Sequence, residues 1–198
     1  MARPKNDPDR PPTRDLILQA ARQAFASANY SDVRLSDIAK KVGISRPSVL
    51  YHVESKQKLY GEVVTELFQE LSHSIVDAVD GSAEKGLLER VVSRFVDFVA
   101  DEPAFAPIVV REIVDGRGPG REELVSSAGP LLDFLEHELA ARGAVPPGFP
   151  VREAVLQTTM SVLVRSAAHD IRSELWSAEE RTLEMVRAMV AGWSSDCP

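Results

Sequence analysis

Residues 35–53 have the sequence LSDIAKKVGISRPSVLYHV, which predicts two short helices joined by a tight turn. Ala39 is small where the two helices must approach closely, and Gly43 can adopt the left-handed backbone that ends the first of them. Ser45 is placed to cap the second helix, and Pro47 falls in its first turn, where the missing N–H costs nothing. The pattern is typical of a helix-turn-helix.

The second of these helices presents a polar and aromatic face. Arg46 and Ser48 are residue types that read base edges in a DNA groove, whereas Tyr51 and His52 suit contacts with phosphates. Any helical hairpin can resemble this motif, and the alternative is that Tyr51 and His52 are ordinary surface residues. The motif favours DNA binding without establishing it.

Charge is divided unequally between the two parts of the chain. The whole sequence has a net charge of −7, but residues 1–60 hold 11 Lys and Arg against 6 Asp and Glu, a net of +5. Residues 61–198 hold 12 against 24, a net of −12. This division predicts a basic nucleic-acid module joined to an acidic regulatory or assembly module, with chance clustering as the alternative.

Helical periodicity continues along the chain, and no stretch has the alternating, β-branched-rich pattern of a strand. Glycines and prolines mark the breaks between helices. Ser177 and Glu180 form a capping-box pattern, which predicts the start of the last helix. We therefore predict an all-α fold of about nine helices, over residues 13–28, 35–42, 46–53, 56–79, 82–102, 103–115, 122–142, 151–172 and 177–193.

Secretion and membrane insertion are disfavoured by the composition. The one cysteine, Cys197, has no partner for a disulfide, and residues 1–9 lack the apolar run of a secretory signal. The longest run without a charged residue, 154–164, is too short for a membrane span, which needs roughly 20 residues. We expect a cytoplasmic protein that does not enter a membrane.

Catalytic and metal-binding patterns are also missing from the sequence. There is no glycine-rich phosphate loop and no nucleophile motif. The four histidines, at positions 52, 73, 137 and 169, are too widely separated to suggest a metal site. We expect no catalytic residue, no metal and no cofactor.

The stretch from Thr13 to Leu59 closely resembles the DNA-binding domain of the TetR (tetracycline-repressor) family of bacterial transcription regulators. Such domains lie at the N-terminus, ahead of a divergent helical domain of about the length that follows here. The matching segments are ILQAARQAF at 17–25, Asn29-Tyr30, SDIAKKVGIS at 36–45, RPSVLYHV at 46–53 and Ser55-Lys56.

The resemblance implies a division of the chain into an arm and two domains. Residues 1–12 are rich in proline and charge and lack periodicity, which predicts a disordered arm. Its Arg3, Lys5 and Arg10 either track the minor groove of DNA or are simply solvated. A helix-turn-helix domain of three helices at 13–55 then precedes a larger helical domain at 56–198, for ligand binding and dimerisation.

The resemblance also implies which residues contact DNA. Positions 46–52 become the recognition helix, with bases facing its start and phosphates facing its end. Arg34 departs from the usual Thr or Ser cap, and Leu50 replaces a frequent phosphate-binding Tyr. The implied DNA-binding set is Ser36, Ser45, Arg46, Pro47, Ser48, Tyr51, His52 and Lys56.

A ligand pocket between the fourth and eighth helices is likewise implied by the resemblance. The candidates are mostly large apolar residues of the second domain, for which the alternative is plain core packing. For the polar pair Arg111 and Glu112, the alternative is a structural ion pair. The candidate pocket residues are Phe68, Phe95, Phe98, Phe105, Arg111, Phe134 and Met160.

The last two predicted helices carry apolar stripes and, in the family, form a four-helix dimer interface. Packing within one chain is the alternative role for these side chains. The candidate interface residues are Leu156, Met160, Leu163, Val186, Val190 and Trp193.

These expectations together describe a homodimeric repressor that binds an inverted-repeat operator in double-stranded DNA. A small apolar or amphipathic molecule would release it by shifting the fourth helix. A DNA-binding activator, a ligand-independent DNA binder and, less favoured, a small-molecule enzyme remain as alternatives.

Overall fold

The computed structural model describes residues 11–81, 86–168 and 171–192, and within these ranges the chain forms ten helices and no strand. The expected all-α fold is therefore confirmed. The helices are α1 (Thr13–Ser27), α2 (Leu35–Val42), α3 (Arg46–Val53), α4 (Lys56–Asp80), α5 (Leu87–Asp101), α6 (Phe105–Asp115), α7 (Arg121–Ala141), α8 (Val151–Ala167), α9 (Arg172–Leu175) and α10 (Thr182–Gly192).

Helices α1 to α3 form the expected three-helix unit around a small apolar core. Phe25 of α1, Ile38 of α2 and Val49 of α3 are completely buried and belong to one cluster. Gly43 ends α2 in the left-handed conformation, with φ of 79°. The hydroxyl oxygen of Ser45 caps α3 by accepting a hydrogen bond from the Ser48 N–H at 3.2 Å. Both local predictions for the turn are confirmed.

Helix α4 connects this unit to the rest of the molecule. It is 25 residues long and begins at a cap in which the Ser55 hydroxyl accepts from the Lys58 N–H at 3.1 Å. Its buried side chains extend from Leu59 near the start to Val79 near the end. It packs on α1, α5 and α7, and therefore contacts both parts of the molecule.

The C-terminal helices differ from the prediction. Helix α8 ends at Ala167 rather than near 172, and the short α9 follows it as a separate tenth helix. The last helix begins at Thr182, and the expected capping box at Ser177 is wrong. Glu180 lies before that helix, where its carboxylate pairs with Arg165 of α8 at 2.8 Å and accepts from the Thr182 N–H at 2.9 Å.

Helix α5 begins at Leu87 rather than 82, and the other boundaries shift by one or two residues. Helix α6 begins at Phe105 rather than Pro103. The predicted start of α5 at Ser82, most of the N-terminal arm, Trp193 and Cys197 lie outside the described residues. Among the helices described above, none is both long and apolar enough to cross a membrane.

Candidate DNA-binding surface and ligand cavity

Helix α3 separates an apolar inner face from a polar outer face. Val49 and Val53 are buried against the neighbouring helices. Arg46 and Pro47 are exposed at its start, and Tyr51 is 86 % exposed. Because the cap at Ser45 fixes where the helix begins, it also fixes the direction in which these outer side chains project.

The remaining candidate DNA contacts have more varied surroundings. Ser45 and Ser48 share a hydrogen bond between their hydroxyls at 2.8 Å, and both therefore help to hold the start of α3. His52 is half-buried, and its ring meets the Tyr51 ring edge-on at 5.4 Å. Ser36 is exposed on the first turn of α2.

Lys56 folds back onto the turn that follows α1. Its Nζ lies 4.2 Å from the centre of the Tyr30 ring and donates to the Ser31 carbonyl at 3.4 Å. Burial lowers the pKa of Lys56, and the nearby Asp32 carboxylate opposes that shift. A phosphate that approached this lysine would compete with the Tyr30 ring and the Ser31 carbonyl for its ammonium group.

The two departures from the family pattern have structural counterparts. Arg34 is exposed immediately before α2, where its extended backbone occupies the cap position. Leu50 is half-buried and packs on the apolar core, which gives it a packing role in place of a phosphate contact.

A cavity of about 160 Å³ lies between α4, α5, α6, α7, α8 and α10. Four of the predicted pocket residues line it: Phe68, Phe95, Phe105 and Met160. Aliphatic side chains of α7, among them Leu124, Leu131 and Leu135, supply much of the remaining wall. Sequence reasoning missed these residues because it favoured aromatic candidates, although their helical spacing placed them on one face.

Three predicted pocket residues lie elsewhere. Phe98 is buried and packs edge-on against Phe105, with 5.2 Å between ring centres. Phe134 packs on the core while half-buried. Arg111 points away from the cavity and towards α1, and it therefore forms neither the ligand contact nor the ion pair with Glu112 that the sequence suggested.

Arg111 caps the C-terminal end of α1 from a different part of the molecule. Its guanidinium donates to the carbonyls of Phe25 at 2.6 Å and Ala28 at 2.5 Å, and also to that of Ala26. The last carbonyls of a helix lack partners within the helix, and Arg111 satisfies three of them here. This set of bonds, which we term the Arg111 link, joins α6 to the three-helix unit of α1 to α3.

The neighbouring Glu112 is buried and has its own partners. Its carboxylate accepts from the Gly120 N–H at 3.2 Å, and a Cβ at Gly118 would collide with it. Burial of the Tyr60 hydroxyl, together with its hydrogen bond to Glu112, raises the pKa of Tyr60. Glu112 thereby connects α6 to α4 and to the loop before α7.

Arg22 makes a second connection between α1 and the larger domain. It donates to Glu70 of α4 at 2.7 Å and to Glu102, just before α6, at 2.8 Å. A weaker contact reaches Glu66 of α4 at 3.5 Å. Helix α1 is therefore attached along its side by Arg22 and at its end by the Arg111 link.

The predicted interface residues fall into two groups. Leu163 and Val186 are buried within the chain, whereas Leu156 is 45 % exposed and Met160 and Val190 are half-buried. Leu156 of α8 is therefore the most exposed of the described members, and Met160 also lines the cavity. In the part of the chain that the structure describes, no three His, Cys, Asp or Glu residues are arranged to hold a metal ion.

Known proteins resemble the chain in both sequence and fold. The family model for bacterial regulatory proteins of the tetR family matches residues 17–63. The HTH-type transcriptional regulator SrpR of Pseudomonas putida is 28% identical over 155 residues, which cover 76% of this chain and 69% of SrpR. The biofilm operon icaADBC HTH-type negative transcriptional regulator IcaR of Staphylococcus aureus is 35% identical over 63 residues, 32% of this chain and 34% of IcaR.

Among solved structures, the transcriptional regulator FadR from Bacillus subtilis in complex with stearoyl-CoA has a TM-score of 0.74 to this chain. The alignment covers 91% of this chain and 99% of FadR, at 17% sequence identity. At that identity the likeness concerns the fold alone.

Proposed function

The chain belongs to the TetR family of bacterial regulatory proteins, which bind DNA and regulate transcription, and from this premise we propose that it is a dimeric, ligand-responsive repressor. It binds an inverted-repeat operator through α3 of each chain. A small apolar or amphipathic molecule enters the cavity of the second domain and releases the DNA. An activator is the alternative, and a reporter gene driven by the operator distinguishes the two.

The observation that carries this proposal is the position of α6 between the cavity and α1. Phe105, Val109 and Ile113 are four residues apart, lie on one face of α6 and line the cavity. Arg111 projects from another face and bonds the end of α1. A ligand that displaces α6 therefore acts on the DNA-binding unit, provided that it binds one conformation more tightly than the other.

Two further observations support an apolar or amphipathic effector and favour repression over activation. FadR, which has this fold, was solved with stearoyl-CoA, a ligand with a long apolar chain. IcaR is a negative regulator and is 35% identical to this chain over 63 residues. Both facts describe those proteins, and they favour a repressor with an apolar or amphipathic effector here.

We expect light scattering to give a molar mass of about twice 21.7 kDa, because two recognition helices must reach major grooves roughly 34–36 Å apart. Met160→Glu should weaken the dimer, since it would bury a charge without a partner in the interface. Ala141→Glu, at the exposed end of α7, is the matched control and should leave the mass unchanged. A monomer at micromolar concentration would contradict the model.

We also expect steep salt dependence of binding to an operator selected from random duplexes. The logarithm of the binding constant should fall linearly with the logarithm of the salt concentration, with a slope near −0.9 per phosphate neutralised. The reason is the net charge of +5 in residues 1–60. An affinity that does not change with salt would show that this basic region does not contact phosphates.

A further inference from the structure

The walls of the cavity in the second domain are almost entirely hydrocarbon. Among the described residues that line it, Thr158 and Thr159 carry the only polar side chains, and none is charged. Both threonines lie on α8, where a hydroxyl can bond the carbonyl four residues earlier in its own helix. The cavity therefore offers a ligand little beyond apolar contact.

The charged residues of α6 that lie closest to the cavity lining form hydrogen bonds with other parts of the molecule. Arg111 and Glu112 lie between Val109 and Ile113, both of which line the cavity. Arg111 is bonded to the carbonyls at the end of α1, and Glu112 to the Gly120 N–H. Neither can neutralise a charge inside the cavity without breaking a bond that joins two parts of the fold.

The size of the cavity limits what fits into this structure. A cavity of about 150 Å³ lined by Leu, Ile and Phe accepts benzene and stays dry when empty. The cavity here has a comparable volume of about 160 Å³. A hydrocarbon group of about six to eight carbon atoms matches that volume, whereas a chain of the length found in stearoyl-CoA greatly exceeds it.

The rim of the cavity is also apolar. Ile113 at the end of α6 and Leu156 on α8 belong to the lining, yet they are 43 % and 45 % exposed. Both side chains are aliphatic, and neither presents a group that would attract an ion.

From these observations, and resting on the effector site proposed above, we infer that the cavity binds a compact, uncharged hydrocarbon of about six to eight carbon atoms and rejects its charged analogues. An ion buried here would lose its hydration without gaining a partner, which strongly disfavours its binding. A neutral ring or short chain loses no hydrogen bond on entering and gains contact on every side.

The test compares toluene with benzoate, which has the same ring and an anionic group, by titration calorimetry on the purified full chain without DNA. Toluene should bind at least about 100-fold more tightly, given the cost of burying an unpaired ion. Its affinity should be the same at pH 6 and pH 8, since no titratable group among the described residues lines the cavity.

Cavity-filling variants locate the site. Ala128→Leu on α7 and Ala154→Leu on α8 each add bulk to the lining and should abolish toluene binding. Ala141→Leu adds the same bulk at the exposed end of α7 and should leave it unchanged. Thermal unfolding of each variant identifies any that fails to fold. One folded filling variant is sufficient to locate the site.

Each outcome bears on either this inference or the proposed function. Benzoate binding as tightly as toluene would overturn the inference, as would toluene binding that survives both filling variants. A gel-shift assay with the operator then separates the two claims. If toluene binds but leaves the operator complex intact, the hydrocarbon site stands and the proposed release mechanism fails. If benzoate releases the operator while toluene does not bind, the release mechanism stands and the inference fails.

Discussion

Arg46→Ala is expected to lower the affinity of the dimer for its operator by about 1–3 kcal/mol per half-site and to relax the preference at one base position. Arg46 is exposed on the first turn of α3, where an inserted helix meets base edges. It lies outside the cap formed by Ser45 and Ser48, and its removal should therefore leave the helix intact. The measurement is the affinity of each variant for the operator and for a random duplex.

Lys56→Ala is the comparison for this prediction. A lysine that contacts a phosphate contributes equally on every sequence, and its loss should reduce the salt slope by about one unit per half-site without changing base preference. In the free protein Lys56 already contacts the Tyr30 ring and the Ser31 carbonyl, and it must leave them to reach DNA. If Arg46→Ala reduced the affinities for operator and random DNA by the same factor, Arg46 would be a phosphate contact instead.

The first domain was predictable because its signals are local. The caps at Ser45 and Ser55 and the glycine at position 43 each act within four residues of their own position. Helix periodicity then places Phe25, Ile38 and similar residues in the core without knowledge of the rest of the fold. Where the structure is determined by neighbours in sequence, the sequence alone is sufficient to predict it.

The second domain was less predictable because distant contacts override local patterns. Glu180 has the sequence context of a capping box, yet Arg165 of α8 holds it outside the helix. Arg111 has backbone carbonyls as partners, 83 to 86 residues away in sequence. Carbonyls are present at every residue, and no side chain in the sequence marks these three as its partners. A large aromatic side chain suits a core as well as a cavity wall, and the sequence alone does not distinguish the two. Phe98 and Phe134 were predicted to line the cavity for this reason, and they pack on the core instead.

The Arg111 link predicts that a substitution in the cavity wall changes operator affinity, and no ligand is needed to test this. Val109→Phe adds bulk to the face of α6 that lines the cavity and thereby imitates an occupied site. It should lower operator affinity by about 5–150-fold, the usual range of coupling between two sites. In an Arg111→Ala background the same substitution should change the affinity less than about twofold, because displacement of α6 no longer reaches α1. The four affinities form a double-mutant cycle.

Arg22→Ala is the matched control for this cycle, because Arg22 also attaches α1 to the larger domain but through Glu70 of α4 and Glu102. Val109→Phe should keep its full effect in that background.

Arg111→Ala leaves three carbonyls at the end of α1 without this donor, and it should therefore also lower the free energy of unfolding, by about 1–3 kcal/mol for each carbonyl that water cannot reach. Arg111→Lys keeps the positive charge and one donor nitrogen, and it should preserve part of both the stability and the coupling. If Val109→Phe weakened operator binding equally with and without Arg111, the signal would travel through other contacts of α1, such as those with α4, and the Arg111 link would serve stability only.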